Sequence, residues 1–159
     1  KEEDIITKPL YGNGGEGIHR FDKSNFNSNK LEEYLHLPIM VQKFINEIND
    51  GDRRVVFFDG EYYGSVARIP QKDNVKANFH AGGKAVKTGL VYRDKEIIEI
   101  LGPKLKEHNL FFVGIDIIGN YLTEINVTSP TGLKQINALN NVNLEKDFWD
   151  KLEAKYKLV

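Results

Sequence analysis

Asp116, Glu124 and Asn126 stand in the run Gly-Ile-Asp-Ile-Ile-Gly-Asn-Tyr-Leu-Thr-Glu-Ile-Asn at 114–126, an oxygen-only donor group set into an apolar strand-turn-strand pattern. Two carboxylates and an amide oxygen suit a hard cation such as Mg²⁺, which proteins hold with few carboxylates while substrate phosphates complete the shell. Glu124 and Asn126 are two apart and share a strand face. Asp116 joins them only if the turn permits. A two-residue Gly119-Asn120 loop pairs Ile118 with Tyr121 and leaves Asp116 on the opposite face, whereas a three-residue loop over 118–120, or a bulge, brings all three together. A metal reading therefore requires an odd loop or a bulge. The competing reading is a solvent-facing hairpin with ordinary acidic residues. Against it, Phe111, Phe112, Val113, Ile115, Ile117, Ile118, Leu122, Ile125 and Val127 read as strands buried on both faces, where a carboxylate needs a partner.

A second group is Lys8-Pro-Leu-Tyr-Gly-Asn-Gly-Gly-Glu-Gly17. Glycines let backbone N–H groups approach an anion, and Lys8 adds positive charge. The run is neither a Walker A loop nor a dinucleotide fingerprint, because an extended segment follows it where a helix is needed. A phosphate flap and a flexible hairpin tip both remain open on these residues alone. A third group is Asp50-Gly-Asp52-Arg53-Arg54 before one strand, with Arg68 closing the next. Guanidinium groups usually solvate a surface, but beside a metal site their fork suits polyphosphate.

The elements that must carry these groups alternate strand pairs with a few helices, without repeats or low-complexity linkers. Strands are expected over Ile5–Lys8, Gly17–Phe21 and Ile39–Ile45, with a short helix over Leu31–His36 ended by Pro38. Arg54–Phe58 and Tyr62–Ile69 form a hairpin across Asp59-Gly60, a pair that favours a tight primed turn. The polar stretch Gln71–Lys87 reads as a mobile loop. Asp94 can cap a helix carrying Ile97, Ile98, Ile100, Leu101 and Leu105, kinked at Gly102-Pro103. Asn143 can cap a last helix with Leu144, Phe148, Leu152 and Tyr156 every four residues. Both helical stripes are core packing.

Length and composition set outer bounds. A chain of 159 residues, 40% hydrophobic and 28% charged, buries one core, as one unit or as a piece of a larger protein. Lys1 in place of an initiator Met favours the piece. A net charge of -1 supplies no global attraction to nucleic acid or an anionic membrane. The chain has no cysteine, which removes disulfides, thiolate nucleophiles and cysteine-based metal sites. No signal-like or long apolar run is present, and a cytoplasmic protein is expected.

Taken in order, these motifs resemble the ATP-grasp ligases and, more narrowly, the bacterial glutathione synthetase family. The resemblance rests on 8–18, 38–55, the Ala-Arg-Ile-Pro at 67–70, the Ala-Gly-Gly at 81–83 and, most specifically, 112–132. It covers nearly the whole chain and only the C-terminal half of such an enzyme. It implies an α+β fold, with a largely antiparallel sheet, flanking helices and a glycine-rich flap. Residues 1–159 would be one ATP-binding module whose N-terminal partner domain and upstream ATP-binding lysine lie before Lys1. Lys8 would touch the ATP phosphates, with Gly12, Asn13, Gly14 and Gly15 in the flap over them. The backbone of Gln42, Lys43, Phe44 and Ile45 would line the adenine, Asp52 would face the ribose and Arg54 the phosphates. Arg68, Asn78 and Gly83 would line the acyl-phosphate and peptide site, with Ser129 and Thr131 near the dipeptide. Asp116, Glu124 and Asn126 would bind Mg²⁺ or Mn²⁺, and Arg54 and Arg68 would be catalytic.

The resemblance also implies a reaction, the ATP-dependent joining of γ-glutamylcysteine to glycine through an acyl phosphate, in a homo-oligomer that binds neither nucleic acid nor membrane. This segment alone is expected to be inactive. Another peptide ligase of the same fold, such as one adding glutamate, and a nucleotide-binding module without turnover are the alternatives. The chain departs from the family pattern at Lys76-Ala-Asn78-Phe-His80, where an arginine is usual at the position of Lys76, and lysine lacks its fork. His19, His36, His80 and His108 lack metal-ligand spacing and are assigned no chemistry.

Overall fold

The structure, a computed structural model, describes residues 4–11, 15–22, 24, 32, 36, 38–70 and 83–157. Strands β1 (Ile5–Pro9), β2 (His19–Phe21) and β3 (Ile39–Lys43) form an antiparallel sheet in the order β2-β1-β3. Strands β4 (Asp52–Phe58), β5 (Glu61–Ile69), β6 (Lys84–Val86), β7 (Phe112–Ile118) and β8 (Tyr121–Asn126) form a second sheet, β6-β5-β4-β7-β8, with antiparallel pairs throughout. Helices α1 (Tyr92–Glu107), α2 (Leu133–Asn140) and α3 (Leu144–Tyr156) flank it. The mixture of helices and antiparallel sheets is the expected α+β class.

Strand β4 explains the layering. Its side chains alternate between faces, and both faces are covered. Val55 and Phe57 pack with Val113, Ile115 and Ile117 of β7 under Ile97 and Leu105 of α1. Val56 and Phe58 pack on the other face with Val66, Ile136 of α2 and Leu144 of α3. Phe148 of α3 closes this second core edge-on against Phe58, centroids 5.4 Å apart, a favoured aromatic geometry. The helices cover only one end of that face. At the other end, where β4 begins, stand Asp52 and Arg54 in place of apolar residues.

The β4–β5 hairpin turns at Asp59 (φ 50°) and Gly60 (φ 78°), the primed turn expected from Asp-Gly. Asn143 caps α3, its side chain accepting from the backbone N–H of Lys146. Two expectations need correction. Asp94 is not the cap of α1 but lies inside its first turn, where its carboxylate accepts from the backbone N–H of Val91 at 3.1 Å. Helix α1 contains Gly102-Pro103 within its span, and Gly102 lies directly against the Gly60 carbonyl of the β4–β5 turn. Strand β8 is not buried on both faces: it is a sheet edge, with Tyr121, Leu122 and Ile125 exposed. Helix α2, strand β6 and a 3₁₀ turn at Asn46–Asp50 have no counterpart in the sequence reading. Most of the helix expected over Leu31–His36, and most of the loop expected over Gln71–Lys87, lie outside the described residues.

Candidate functional site

Glu124 reaches the face of Asp116 by a bulge. The turn is the two-residue Gly119-Asn120, with Ile118 opposite Tyr121 and Ile117 opposite Leu122, but the register shifts between Asp116 and Ile117 so that Asp116 pairs with Glu124 and Gly114 with Asn126. Thr123 is the extra residue. Its hydroxyl donates to the Asp116 carbonyl at 3.1 Å. The parity required for a shared metal face is thus met by a bulge and not by a three-residue loop.

Because Arg54 pairs with Asp116 across β4 and β7, and Asp52 with Arg68 across β4 and β5, the same face continues as a row of charges. Arg54 forks onto Asp116, donating from Nε to Oδ1 at 2.5 Å and from Nη2 to Oδ2 at 2.9 Å. Arg68, 1% exposed, donates from Nε and Nη2 to Asp52 at 2.7 and 2.5 Å and approaches Asp116 Oδ2 at 2.8 Å. Fork-to-carboxylate pairs of this kind fix direction as well as charge. Arg54 also donates to the carbonyl of Thr131 at 3.0 Å, which ties the loop after β8 to the row. Gly114 makes room here, since a Cβ would lie 2.7 Å from Pro130 and 3.2 Å from Arg54 Nη1. With its amide oxygen toward Arg54, Asn126 accepts from Nη2 at 3.3 Å and donates to Glu124 Oε1 at 2.9 Å.

The three carboxylates, two of them buried and Glu124 exposed at the strand edge, are shifted in different directions. Burial alone raises Asp116, but hydrogen bonds from Arg54 and the charges of Arg68 and Arg54 outweigh it and hold its pKa below the ordinary range. Asp52 goes the other way, because burial exceeds the help from Arg68. Glu124, at the open edge, is raised by partial burial and then by the Asp116 charge. Negative charge thus accumulates at the Asp116–Glu124 pair with its relief incomplete at Glu124, the condition a cation removes.

This row faces a cleft of about 500 Å³ between the two sheets. The opposite wall is Ile6 and Lys8 of β1 with Gln42, Lys43, Phe44 and Ile45 at the end of β3. Phe44 and Ile48 pack with Ile6 and Ile118, so an apolar hinge joins the sheets at the cleft floor. The Arg20 guanidinium lies 4.0 Å from the Phe44 ring centroid and is held by Asp4 at 3.1 Å, which fixes this wall. Counting lining side chains with Arg54, Lys8, Lys43, Arg54 and Arg68 face Glu47, Asp52, Asp116 and Glu124. The described part of the cleft is therefore near neutrality, and a polyphosphate is accommodated there only together with added cations.

The donor set fits a hard divalent ion. Glu124 lines the cleft with Asn126 beside it, and Asp116 keeps a lone pair on Oδ1 beyond those taken by its arginines. Among the described residues no group of three His, Cys, Asp or Glu stands close enough to hold a metal by itself, so a third protein donor would have to come from an amide such as Asn126, whose oxygen here accepts from Arg54.

Of the sequence-derived candidates, Lys8, Gln42, Lys43, Phe44, Ile45, Asp52, Arg68, Asp116 and Glu124 line the one cleft, with Arg54 and Asn126 in contact with them. Thr131 joins through its carbonyl alone. Ser129 is exposed on the same loop, Gly83 immediately precedes β6, and Gly15 sits in a turn at φ 77°. Gly12, Asn13, Gly14, Asn78, Lys76 and His80 lie outside the described residues. Both oxygens of Asp52 already accept from Arg68, so only outward lone pairs remain for a ribose. Glu47, Tyr121 and Thr123 also line the cleft and were not singled out from the sequence. For Thr123 the signal was partial, because parity asks for a three-residue loop or a bulge and only the bulge places one extra residue between Tyr121 and Glu124.

The sequence profile of the prokaryotic glutathione synthetase ATP-grasp domain matches residues 1–141. The chain is 42% identical over 158 residues to a glutathione synthetase of Mesorhizobium japonicum, spanning 97% of this chain and 50% of that protein. It is 46% identical over 151 residues to a glutathione synthetase of Gloeobacter violaceus, spanning 92% and 47%. The chain thus spans about half the length of the curated relatives it matches. Among solved structures, the ATP-grasp ligase PsnB complexed with minimal precursor superposes with a TM-score of 0.67 at 20% identity, over 95% of this chain and 48% of that one. D-cycloserine synthetase DcsG superposes with a TM-score of 0.62 at 14% identity, over 85% and 50%. At those identities the likeness concerns the fold.

Proposed function

This chain belongs to the family of prokaryotic glutathione synthetase ATP-grasp domains, and from that membership we propose that it is the nucleotide-binding half of a ligase that joins γ-glutamylcysteine to glycine at the expense of ATP. The observation that carries the reading is the row Arg68–Asp52 and Arg54–Asp116–Glu124 facing a cleft between two sheets. In the proposed reaction the C-terminal carboxylate of γ-glutamylcysteine takes the γ-phosphoryl group, the glycine amine attacks the acyl phosphate, and phosphate leaves as the amide forms.

No side-chain nucleophile is needed, so the protein's contribution is position and charge. Asp116, Glu124 and Asn126 would hold Mg²⁺ or Mn²⁺, which when bound draws charge from the phosphate oxygens. Lys8 would meet phosphate from the opposite wall, and the resemblance gives Gly12, Asn13, Gly14 and Gly15 the part of a phosphate flap. Gln42 to Ile45 offer backbone groups to adenine, and Asp52 lies toward the ribose. Arg54 and Arg68 are the catalytic pair: already aligned by Asp116, they meet developing negative charge without reorganising. The resemblance gives Asn78, Gly83, Ser129 and Thr131 to the peptide side. Small-molecule substrates, a homo-oligomer and a cytoplasmic setting belong to this proposal, the last because the reaction consumes ATP. Among the described residues no helix is long and apolar enough to cross a membrane.

Phosphate release by the intact protein tests the reading. Release that requires ATP, γ-glutamylcysteine and glycine together is the expected result. Release with a different amine and none with glycine would make this a sibling ligase, and nucleotide binding without release under any acceptor would make it a non-catalytic module.

A further inference from the structure

The strand that carries Glu124 is bonded to the sheet on one side only. β8 lies at the sheet edge, so only β7 bonds it laterally, and the bulge at Thr123 interrupts even that ladder. An edge hairpin with exposed Tyr121 and Leu122 is prone to fraying. Yet the distance between Asp116 and Glu124 has to be reproducible for two strands to share one ion.

The tether is on the back of the sheet. Arg53 and Arg54 are adjacent on β4 and point to opposite faces. Arg54 holds Asp116 in front. Behind, Arg53 forks onto Asp94 of α1, Nε to Oδ2 and Nη2 to Oδ1 both at 2.8 Å, and Nη2 also donates to the carbonyl of Gly119 in the β7–β8 turn at 2.6 Å. Asp94 is fully buried and accepts from the backbone N–H of Val91 as well. Its neighbour Arg93 donates to the next turn carbonyl, that of Asn120, at 3.3 Å. A buried bidentate pair is costly to desolvate and stabilises little by itself, so its worth here is in direction.

We infer that Arg53, aimed by Asp94, is a positioning residue for the divalent-cation site, clamping the β7–β8 turn so that Glu124 stays opposite Asp116. This rests on the proposed metal-assisted reading of the cleft. The clamp makes no contact with the cleft itself. Its removal should therefore weaken the cation more than the nucleotide.

The test uses the intact protein, with Mn²⁺ as the probe, followed by its magnetic resonance signal at fixed ADP, beside amide hydrogen exchange of Tyr121–Asn126 without metal. Arg53→Lys keeps the charge and loses the fork. Arg53→Met/Asp94→Asn removes both charges while leaving an acceptor for Val91, so no orphaned ion unfolds the helix start. In both variants, exchange of β8 amides should rise roughly tenfold while those of β4 are unchanged, and the Mn²⁺ dissociation constant should rise about tenfold with ADP affinity within about twofold of wild type, changes of the size seen when groups orienting metal ligands are lost. Faster exchange with unaltered Mn²⁺ affinity would make the clamp merely structural and overturn the inference, as would no change in either readout. If wild-type protein binds ADP but no Mn²⁺, the metal-assisted reading fails first, and the inference falls with it, identifiably in the wild-type arm.

Discussion

Asp116 is approached by two guanidinium groups from two neighbouring strands, Arg54 from β4 and Arg68 from β5, whereas Glu124 beside it has none of comparable closeness. The asymmetry assigns them different work. Asp116 holds the arginines in line, and in the proposed reading Glu124 is the carboxylate left for a cation. Glu124→Gln retains shape and removes that charge, so turnover of the intact enzyme should fall by roughly 10² or more while the fold survives. The loss should appear in kcat more than in nucleotide affinity, because Gln42 to Ile45 lie on the opposite wall. Wild-type turnover of that variant at limiting Mg²⁺ would remove Glu124 from the cation's shell. Arg68→Met is the more damaging change to the fold. It strands Asp52, buried at the start of β4, and leaves Asp116 to Arg54 alone, and a loss of about 3–5 kcal/mol is expected. Urea titration against wild type measures it, and a loss below about 1 kcal/mol would mean that water replaces the guanidinium at little cost.

Helix α1 illustrates how one element is fixed at both ends by the sheet it covers. Near its start, Asp94 is held by Arg53. Near its end, the backbone of Gly102 meets the carbonyl of Gly60 in the β4–β5 turn, where a Cβ would lie 2.4 Å away. Two opposed effects decide Gly102→Ala. Alanine favours helix by about 1 kcal/mol over glycine, but backbone on both sides of the contact leaves no flexible tip to yield. Overpacking of this kind costs about 1–3 kcal/mol, so the net effect should be destabilising and visible as a lower Tm. An unchanged or higher Tm would show that helix and turn can part freely.

At the scale of the whole molecule, Asp59 links three elements. It sits in the β4–β5 turn, bonds Lys155 of α3 and faces Lys106 of α1 at 3.6 Å. Burial raises its pKa, but the Lys155 bond and the charges of Lys155 and Lys106 prevail and lower it below the ordinary value of 3.8. A carboxylate lowered in the folded state binds protons less tightly than in the unfolded chain, so its stabilisation is present above pH 3.8 and is lost as pH falls through the lower folded value. Asp59→Asn keeps a residue tolerant of positive φ and removes the charge. Its deficit should be roughly 0.5–1 kcal/mol at pH 7 and should vanish as the wild type is acidified below pH 3.8. Denaturant midpoints of both proteins at neutral and acid pH check this, and a deficit independent of pH would assign the effect to the turn and not to the charge.

The sequence by itself determined the central strands as apolar runs, the Asp59-Gly60 turn, the Asn143 cap and, through parity, that Asp116, Glu124 and Asn126 share a face only with an irregular hairpin. Those features are local, set by dihedral preference and by side chains within a few residues. Tertiary structure decided which irregularity occurs, a bulge at Thr123, because either device satisfies the same parity. It also decided the partners of the charges. Asp94 carries the local mark of a helix cap, yet a long-range guanidinium reaches it from β4, and the adjacent Arg53 and Arg54 acquire different partners because a strand sends neighbours to opposite faces. The exposure of β8 was illegible for the same reason. Its apolar composition matches a buried strand, and only the sheet order β6-β5-β4-β7-β8 makes it an edge, since burial depends on what the rest of the chain brings alongside.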